Sequence, residues 1–171
     1  MKLLKDGKDG HIEDSPTMNH PVFQNNCFNC LVGNNALAVI AAAKRAEELG
    51  YTPIILGTQI EGEAREVARV FVGIAQHLRQ GSSVAYPMVS EEQYPVALIA
   101  GGETTVSMPP DCDGRGGRNQ ELALAAALAL QTLNLRQIVL ASIGTDGSDG
   151  PTDAAGAVVG KEHNSKKLFV T

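Results

Sequence analysis

Several short apolar runs in this chain stop at a glycine, and alanine-rich stretches with helical spacing lie between them. The runs are residues 27–32 before Gly33, residues 52–56 before Gly57, residues 96–100 before Gly101 and residues 138–143 before Gly144. Runs without polar alternation suit strands covered on both faces. The helical stretches between them are the crossovers that parallel neighbours require. The pattern predicts an α/β fold, a three-layer αβα domain with a largely parallel sheet. Ligands of such sheets bind outside the carboxyl ends of the strands. Glycine-bearing loops that follow strands are therefore the first place to look for chemistry.

The predicted elements follow the punctuation. Asn34 is a candidate N-cap for a helix over 35–49, which Gly50 closes. Residues 52–56 form a strand ended by Gly57. Residues 62–80 form an amphipathic helix whose stripe is Ala64, Val67, Ala68, Phe71, Ala75 and Leu78. Residues 81–94 are a loop, 96–100 a strand followed by Gly101-Gly102 and a β-rich Thr104-Thr105-Val106, 109–117 a loop and 138–143 a strand. Residues 119–131 read as a helix apolar nearly all round, hence buried on more than one side. Residues 1–26 show no periodicity and read as a disordered or loosely attached arm. An α/β domain over 27–160 and a polar tail over 161–171 complete the division.

Length and charge narrow the function classes. A chain of 171 residues suits one domain with a real core. Its formal net charge of −5 argues against nucleic acid as partner. No run of apolar residues is long enough for a membrane helix. Three cysteines make no disulfide framework, so a reducing compartment is expected, the cytosol ahead of the mitochondrial matrix. Cys27 and Cys30 invite a metal or redox reading. Placed in a strand, however, residues three apart point to opposite faces.

Three loops carry the candidate chemistry. Gly33-Asn34-Asn35 reads most simply as a strand-to-helix turn. Gly101-Gly102-Glu103-Thr104-Thr105 and Gly144 to Asp153 are richer in carboxylates than a plain turn needs. A fourth segment, Gly114-Arg115-Gly116-Gly117-Arg118-Asn119-Gln120-Glu121, opens a helix. Backbone N–H groups at a helix start beside an arginine make a ready anion site. The alternative is a plain helix start, with Asn119 capping and Arg118 paired to Glu121. The acidic run is no EF-hand, since counting from Asp146 the sixth and twelfth positions are Pro151 and Ala157. No P-loop is present. The dinucleotide fingerprint fails because Gly114-x-Gly116 is followed by Asn119.

Four segments, taken in order, resemble one family. They are Gly-Asn-Asn-Ala-Leu-Ala at 33–38, Ala-Gly-Gly-Glu-Thr-Thr-Val at 100–106, Gly-Arg-Gly-Gly-Arg-Asn-Gln-Glu-Leu-Ala-Leu at 114–124 and Gly-Thr-Asp-Gly-Ser-Asp-Gly-Pro-Thr-Asp-Ala-Ala-Gly at 144–156. They resemble the C-terminal MOFRL region of the glycerate 2-kinase family, whose members have also been labelled hydroxypyruvate reductases. The resemblance implies ATP- and Mg2+-dependent phosphoryl transfer to glycerate, in a cleft between two lobes. It implies catalytic roles for Arg118, Asp146 and Asp149, with Asp146 and Asp149 as metal ligands. It implies substrate or phosphate contacts at Gly101, Gly102, Glu103, Thr104, Thr105, Gly116, Gly117, Asn119, Thr145 and Asp153. Which aspartate is base and which is metal ligand stays open.

The chain departs from the family pattern at both ends. It lacks the family's large N-terminal lobe, which includes a lysine thought to act at the active site, and the Gly-Pro-Thr-Gly-Thr-Asn-type loop near the C-terminus. Weak or absent kinase activity is therefore expected of this chain alone, with that lobe as its partner in a parent enzyme. An uncovered apolar face would favour homo-oligomers. Two other readings are a hydroxypyruvate reductase-type oxidoreductase and a non-catalytic module that binds an anion or a partner.

Overall fold

The computed structural model describes residues 2–12, 15–80 and 89–160. Contacts divide the chain after Asn34. Before that point lie helices α1 (Lys2–Lys8) and α2 (Pro21–Asn25). The second starts with Pro21 at its first turn, and the His20 ring nitrogen Nδ1 accepts the Val22 N–H at 3.2 Å. Helix thus forms at two places where the sequence showed no periodicity. The expected strand over 27–32 does not form. Its residues pair with no strand among the described residues, and Phe28, Leu31 and Val32 are exposed. An apolar run becomes a strand only where a neighbour takes its hydrogen bonds. Cys27, Cys30 and Cys112 are free and exposed.

The second unit alternates helix and strand as expected. Helix α3 (Asn35–Glu48) ends in a Schellman arrangement, the N–H of Tyr51 bonding the Ala46 carbonyl and that of Gly50 the Glu47 carbonyl, both at 2.9 Å. Strand β1 (Thr52–Glu63), helix α4 (Ala64–Gln80) and strand β2 (Val96–Thr105) form a parallel βαβ unit, with Thr52 opposite Val96 and Glu63 opposite Thr105. A 3-10 turn, Glu91–Gln93, precedes β2. The expected loop over 81–88 lies outside the described residues, as does the tail over 161–171. Helix α5 (Arg118–Thr132) is followed by strands β3 (Val139–Ile143) and β4 (Gly156–Gly160), which pair antiparallel. The α/β class with a parallel sheet is therefore observed, and β3–β4 is a second, antiparallel pair.

Both strands of the parallel pair run further than their sequence suggested. β1 passes through Gly57, with register shifts there, and β2 passes through Gly101 and Gly102. Residues 101–105, read as a loop, are therefore strand. The reason is the partner: Ile60 to Glu63 supply a ladder for Gly102 to Thr105. A Cβ on Gly102 would lie 2.0 Å from the Ile60 carbonyl oxygen, and one on Gly101 2.3 Å from the Asn35 side chain. These two glycines admit the neighbouring strand and helix, not a ligand. Glu63 closes this end, its carboxylate accepting the Ser107 hydroxyl at 2.6 Å and the Ser107 N–H at 3.2 Å.

The core joins α4, α5 and β4. Ala64, Val67, Ala68 and Val72 of α4 meet Leu122, Ala123, Ala126 and Leu130 of α5, with Ala157 and Val159 of β4. Alanines at the helix contacts let the backbones approach closely, and each buried Leu or Val adds roughly 1.5–3 kcal/mol. α3 packs on β1 and β2, while α5 also covers β3 and β4. α5 is thus covered from more than one side, yet it keeps an open face. Leu124 and Leu128 are 50% and 57% exposed on the face away from Leu122, Ala126 and Leu130.

A depression at the start of the arginine helix

The carboxyl end of β2, the first turn of α5 and the loop after β3 meet around one open depression of about 570 Å³. It is lined by Glu103, Thr104, Thr105 and Val106, by Gly117 and Arg118, and by Asp146, Ser148, Asp149 and Gly150. Of the residues expected in the site, Glu103, Thr104, Thr105, Gly117, Arg118, Asp146 and Asp149 come together here. Gly101, Gly102, Gly116, Asn119, Thr145 and Asp153 do not line it, and Thr145 and Asp153 face solvent. Val106, Ser148 and Gly150 line it without having been anticipated as contacts.

Asp149, unlike Asp146, is withdrawn from solvent. Its side chain is buried at 2% exposure. Oδ1 accepts the backbone N–H and the side-chain amide of Asn119, both at 3.0 Å. Oδ2 accepts the backbone N–H of Gln120 at 2.9 Å and its side-chain amide at 3.1 Å. Gly117, at the N-cap position of α5, has no side chain to offer. Asp149 therefore caps the helix from another loop, where the positive end of the macrodipole also favours a carboxylate. Burial alone would raise its pKa. The backbone N–H bonds from Asn119 and Gln120, joined by the two side-chain amides, outweigh burial and hold it below the ordinary aspartate value.

The surrounding groups fix this arrangement. The Ser142 hydroxyl on β3 donates to the Asn119 side-chain oxygen at 2.8 Å. The Gln120 amide also donates to the Thr152 hydroxyl at 3.0 Å, and that hydroxyl donates to the Asp149 carbonyl at 2.7 Å. The two loops touch so closely that a Cβ on Gly117 would lie 2.3 Å from the Asp149 carboxyl carbon. Gly150 takes φ +62, and a Cβ there would lie 2.1 Å from the Gly116 carbonyl oxygen. Gln120, Ser142 and Thr152 carried no signal in the sequence. Their roles appear only once α5 and the acidic loop are side by side.

The arrangement bears on both readings of this segment. The N–H groups of Asn119 and Gln120 at the head of α5 are taken by Asp149, so these two are not a vacant anion cradle. Nor does the alternative of a cap by Asn119 form, since Asp149 caps the helix and Asn119 donates to it. Arg118 pairs neither with Glu121 nor with Asp149. Its guanidinium lies 2.9 Å from the Glu103 carboxylate, with both side chains largely exposed.

As a metal or nucleotide site the depression fits only in part. Asp149 already accepts two N–H bonds on each oxygen, which leaves it poorly suited to ligate Mg2+. Asp146 is exposed on the lining, and it accepts only the Ser148 N–H at 3.2 Å among the bonds resolved here. Mg2+ often takes one or two protein carboxylates and completes its shell with phosphate and water, so Asp146 suits that part. Among the described residues no group of three or more His, Cys, Asp or Glu side chains is arranged for a metal ion.

A family profile described as the MOFRL family matches residues 96–168. Over that stretch the chain is similar to the MOFRL family. Within the described residues that stretch holds β2, α5, β3 and β4, and thus every residue lining the depression. A glycerate 2-kinase of Pyrococcus horikoshii is 36% identical over 157 residues, covering 91% of this chain and 32% of that protein. A protein of Agrobacterium vitis with the provisional name hydroxypyruvate reductase is 42% identical over 132 residues, covering 77% of this chain and 32% of its own length. The solved glycerate kinase of Thermotoga maritima superposes with a TM-score of 0.64 at 37% identity, over 91% of this chain and 36% of that one. The chain is thus similar to glycerate kinases and spans about a third of the length of the curated relatives it matches. No helix among the described residues is long and apolar enough to cross a membrane.

Proposed function

We propose that this chain supplies one wall of a glycerate kinase site, with Arg118 and Asp146 as its working side chains. One observation carries the reading: the arginine at the head of α5 and the carboxylate of Asp146 line the same depression at the carboxyl ends of β2 and β3. Phosphoryl transfer asks a protein mainly for positioning and for neutralisation of oxygen charge. Arg118 binds and orients an anionic oxygen of the substrate. Asp146 holds a divalent cation or takes the proton of the attacking glycerate hydroxyl. Asp149 does neither; it holds α5 and the acidic loop in register. Magnesium–ATP would bring the transferable phosphoryl group.

The wall is electrostatically incomplete. Its lining sets the carboxylates of Glu103, Asp146 and Asp149 against the single guanidinium of Arg118. Further positive charge has to come from the metal or from another lobe, so activity of this chain alone is weak. An oxidoreductase reading has a name in its favour among the relatives. Against it, the α5 amides that could receive a dinucleotide pyrophosphate are already bonded to Asp149. The exposed free cysteines suit a reducing compartment such as the cytosol.

The test is an assay of ATP-dependent glycerate phosphorylation with this chain added to the remaining two thirds of a glycerate kinase relative. Activity that appears only in the mixture, and that Arg118→Ala abolishes, is the expected result. Saturable NADH binding, or activity indifferent to Arg118→Ala, would overturn the reading.

A further inference from the structure

We infer that Glu103 is a specificity-determining residue which occupies the anion position on Arg118 until a ligand displaces it. The inference rests on reading the depression as an anion site. Three observations lead to it. Among the described residues Arg118 is the only cation that lines the depression, and the Glu103 carboxylate lies 2.9 Å from its guanidinium. The backbone N–H groups of Asn119 and Gln120, two of the donors at the head of α5, are bonded to Asp149. An incoming carboxylate or phosphate therefore finds its opposite charge in Arg118, in competition with Glu103.

The exposure of the pair makes that exchange feasible. The two side chains are 45% and 72% exposed, and ion pairs in that setting are weak. An anion able to make a bidentate contact with the guanidinium displaces a single carboxylate contact. Glu103 thus sets a threshold: a lone, singly charged ion competes poorly, whereas a hydroxy-acid carboxylate anchored by Thr104 or Thr105, or a doubly charged phosphate, competes well. Glu103 itself lies in the paired part of β2, opposite Glu61, so its backbone stays in place when its side chain swings away.

The test is calorimetric titration of the whole chain in metal-free buffer with two probes, glycerate and inorganic phosphate. The variants are Glu103→Gln, Arg118→Gln, their combination and Asp146→Asn. Glu103→Gln should tighten binding of at least one probe about twofold to fivefold, the scale set by an exposed ion pair, and the gain should vanish when Arg118→Gln is added. Which probe gains more distinguishes a carboxylate ligand from a phosphate. Unchanged or weaker binding in Glu103→Gln, with Arg118→Gln still weakening it, overturns the inference and leaves the anion site standing. An equal gain from Asp146→Asn also overturns it, because net charge would then explain the effect. Binding indifferent to Arg118→Gln, or none in any variant, overturns the anion site itself. Circular dichroism checks that each variant is folded.

Discussion

The Oδ2 atom of Asp149 accepts both the backbone N–H and the side-chain amide of Gln120, at 2.9 and 3.1 Å. With the matching pair from Asn119 on Oδ1, one buried carboxylate joins the acidic loop to the first turn of α5. The residue is the cap of a helix that its own chain neighbours leave uncapped. Its predicted consequences are for stability first and for ligand binding second.

Asp149→Ala should lower the unfolding free energy by at least about 2–3 kcal/mol, because it strands buried donors without an acceptor. Asp149→Asn keeps the shape but turns an N–H group toward the donors of Asn119 or Gln120, so it should also destabilise. Urea unfolding of the three proteins measures this. Stability unchanged in both variants would remove the capping role.

Acid should weaken the fold through the same residue. Asp149 titrates below the ordinary aspartate value in the folded chain. Its contribution is therefore complete above the unfolded value of about pH 3.9 and is lost as pH falls through the folded one. Glu63 adds in the same direction, chiefly because the Ser107 hydroxyl and N–H bond its carboxylate. Unfolding measured from pH 6 downward should lose stability in the wild type, with a shallower slope in Asp149→Asn. Parallel slopes would show that Asp149 plays no part.

The glycines of the site should divide by what surrounds them. Gly117→Ala forces a methyl against the Asp149 carboxylate and should cost about 1–3 kcal/mol, and Gly150→Ala at least as much. Nothing lies within 4 Å of a Cβ on Gly116, so Gly116→Ala should change stability by less than about 0.5 kcal/mol. Gly73 in the middle of α4 is equally open, and Gly73→Ala should stabilise by about 0.5–1 kcal/mol. Thermal melts of the four variants give the order directly.

Leucines of α5 should differ as sharply. Leu130 is buried in the α4–α5–β4 core, and Leu130→Ala should cost about 2–5 kcal/mol. Leu128→Ala on the exposed face should stay within about 0.5 kcal/mol of wild type. Equal losses would place the core elsewhere on the helix.

Much of this fold is written locally. The helix over 35–48 forms on its alanine content and stops ahead of Gly50, because propensity and the C-terminal cap act within a few residues. α4 shows its stripe as apolar residues at helical spacing, and the structure buries Ala64, Val67, Ala68 and Leu78 from it, together with Val72. The acidic run and the arginine segment stood out in the sequence as glycine-rich stretches that carry charge. Pairing is different. Whether residues 101–105 are loop or strand depended on Ile60 to Glu63, and whether 27–32 is a strand depended on a partner it does not find among the described residues. The division of labour among the aspartates is also non-local. Asp146 and Asp149 are alike in the chain, three residues apart between glycines. Only the docking of α5 against their loop buries one under four N–H donors and leaves the other exposed. Local sequence determines helix ends and where charge collects. Hydrogen-bond partners distant in the chain decide which of those charges is buried as a helix cap and which stays exposed.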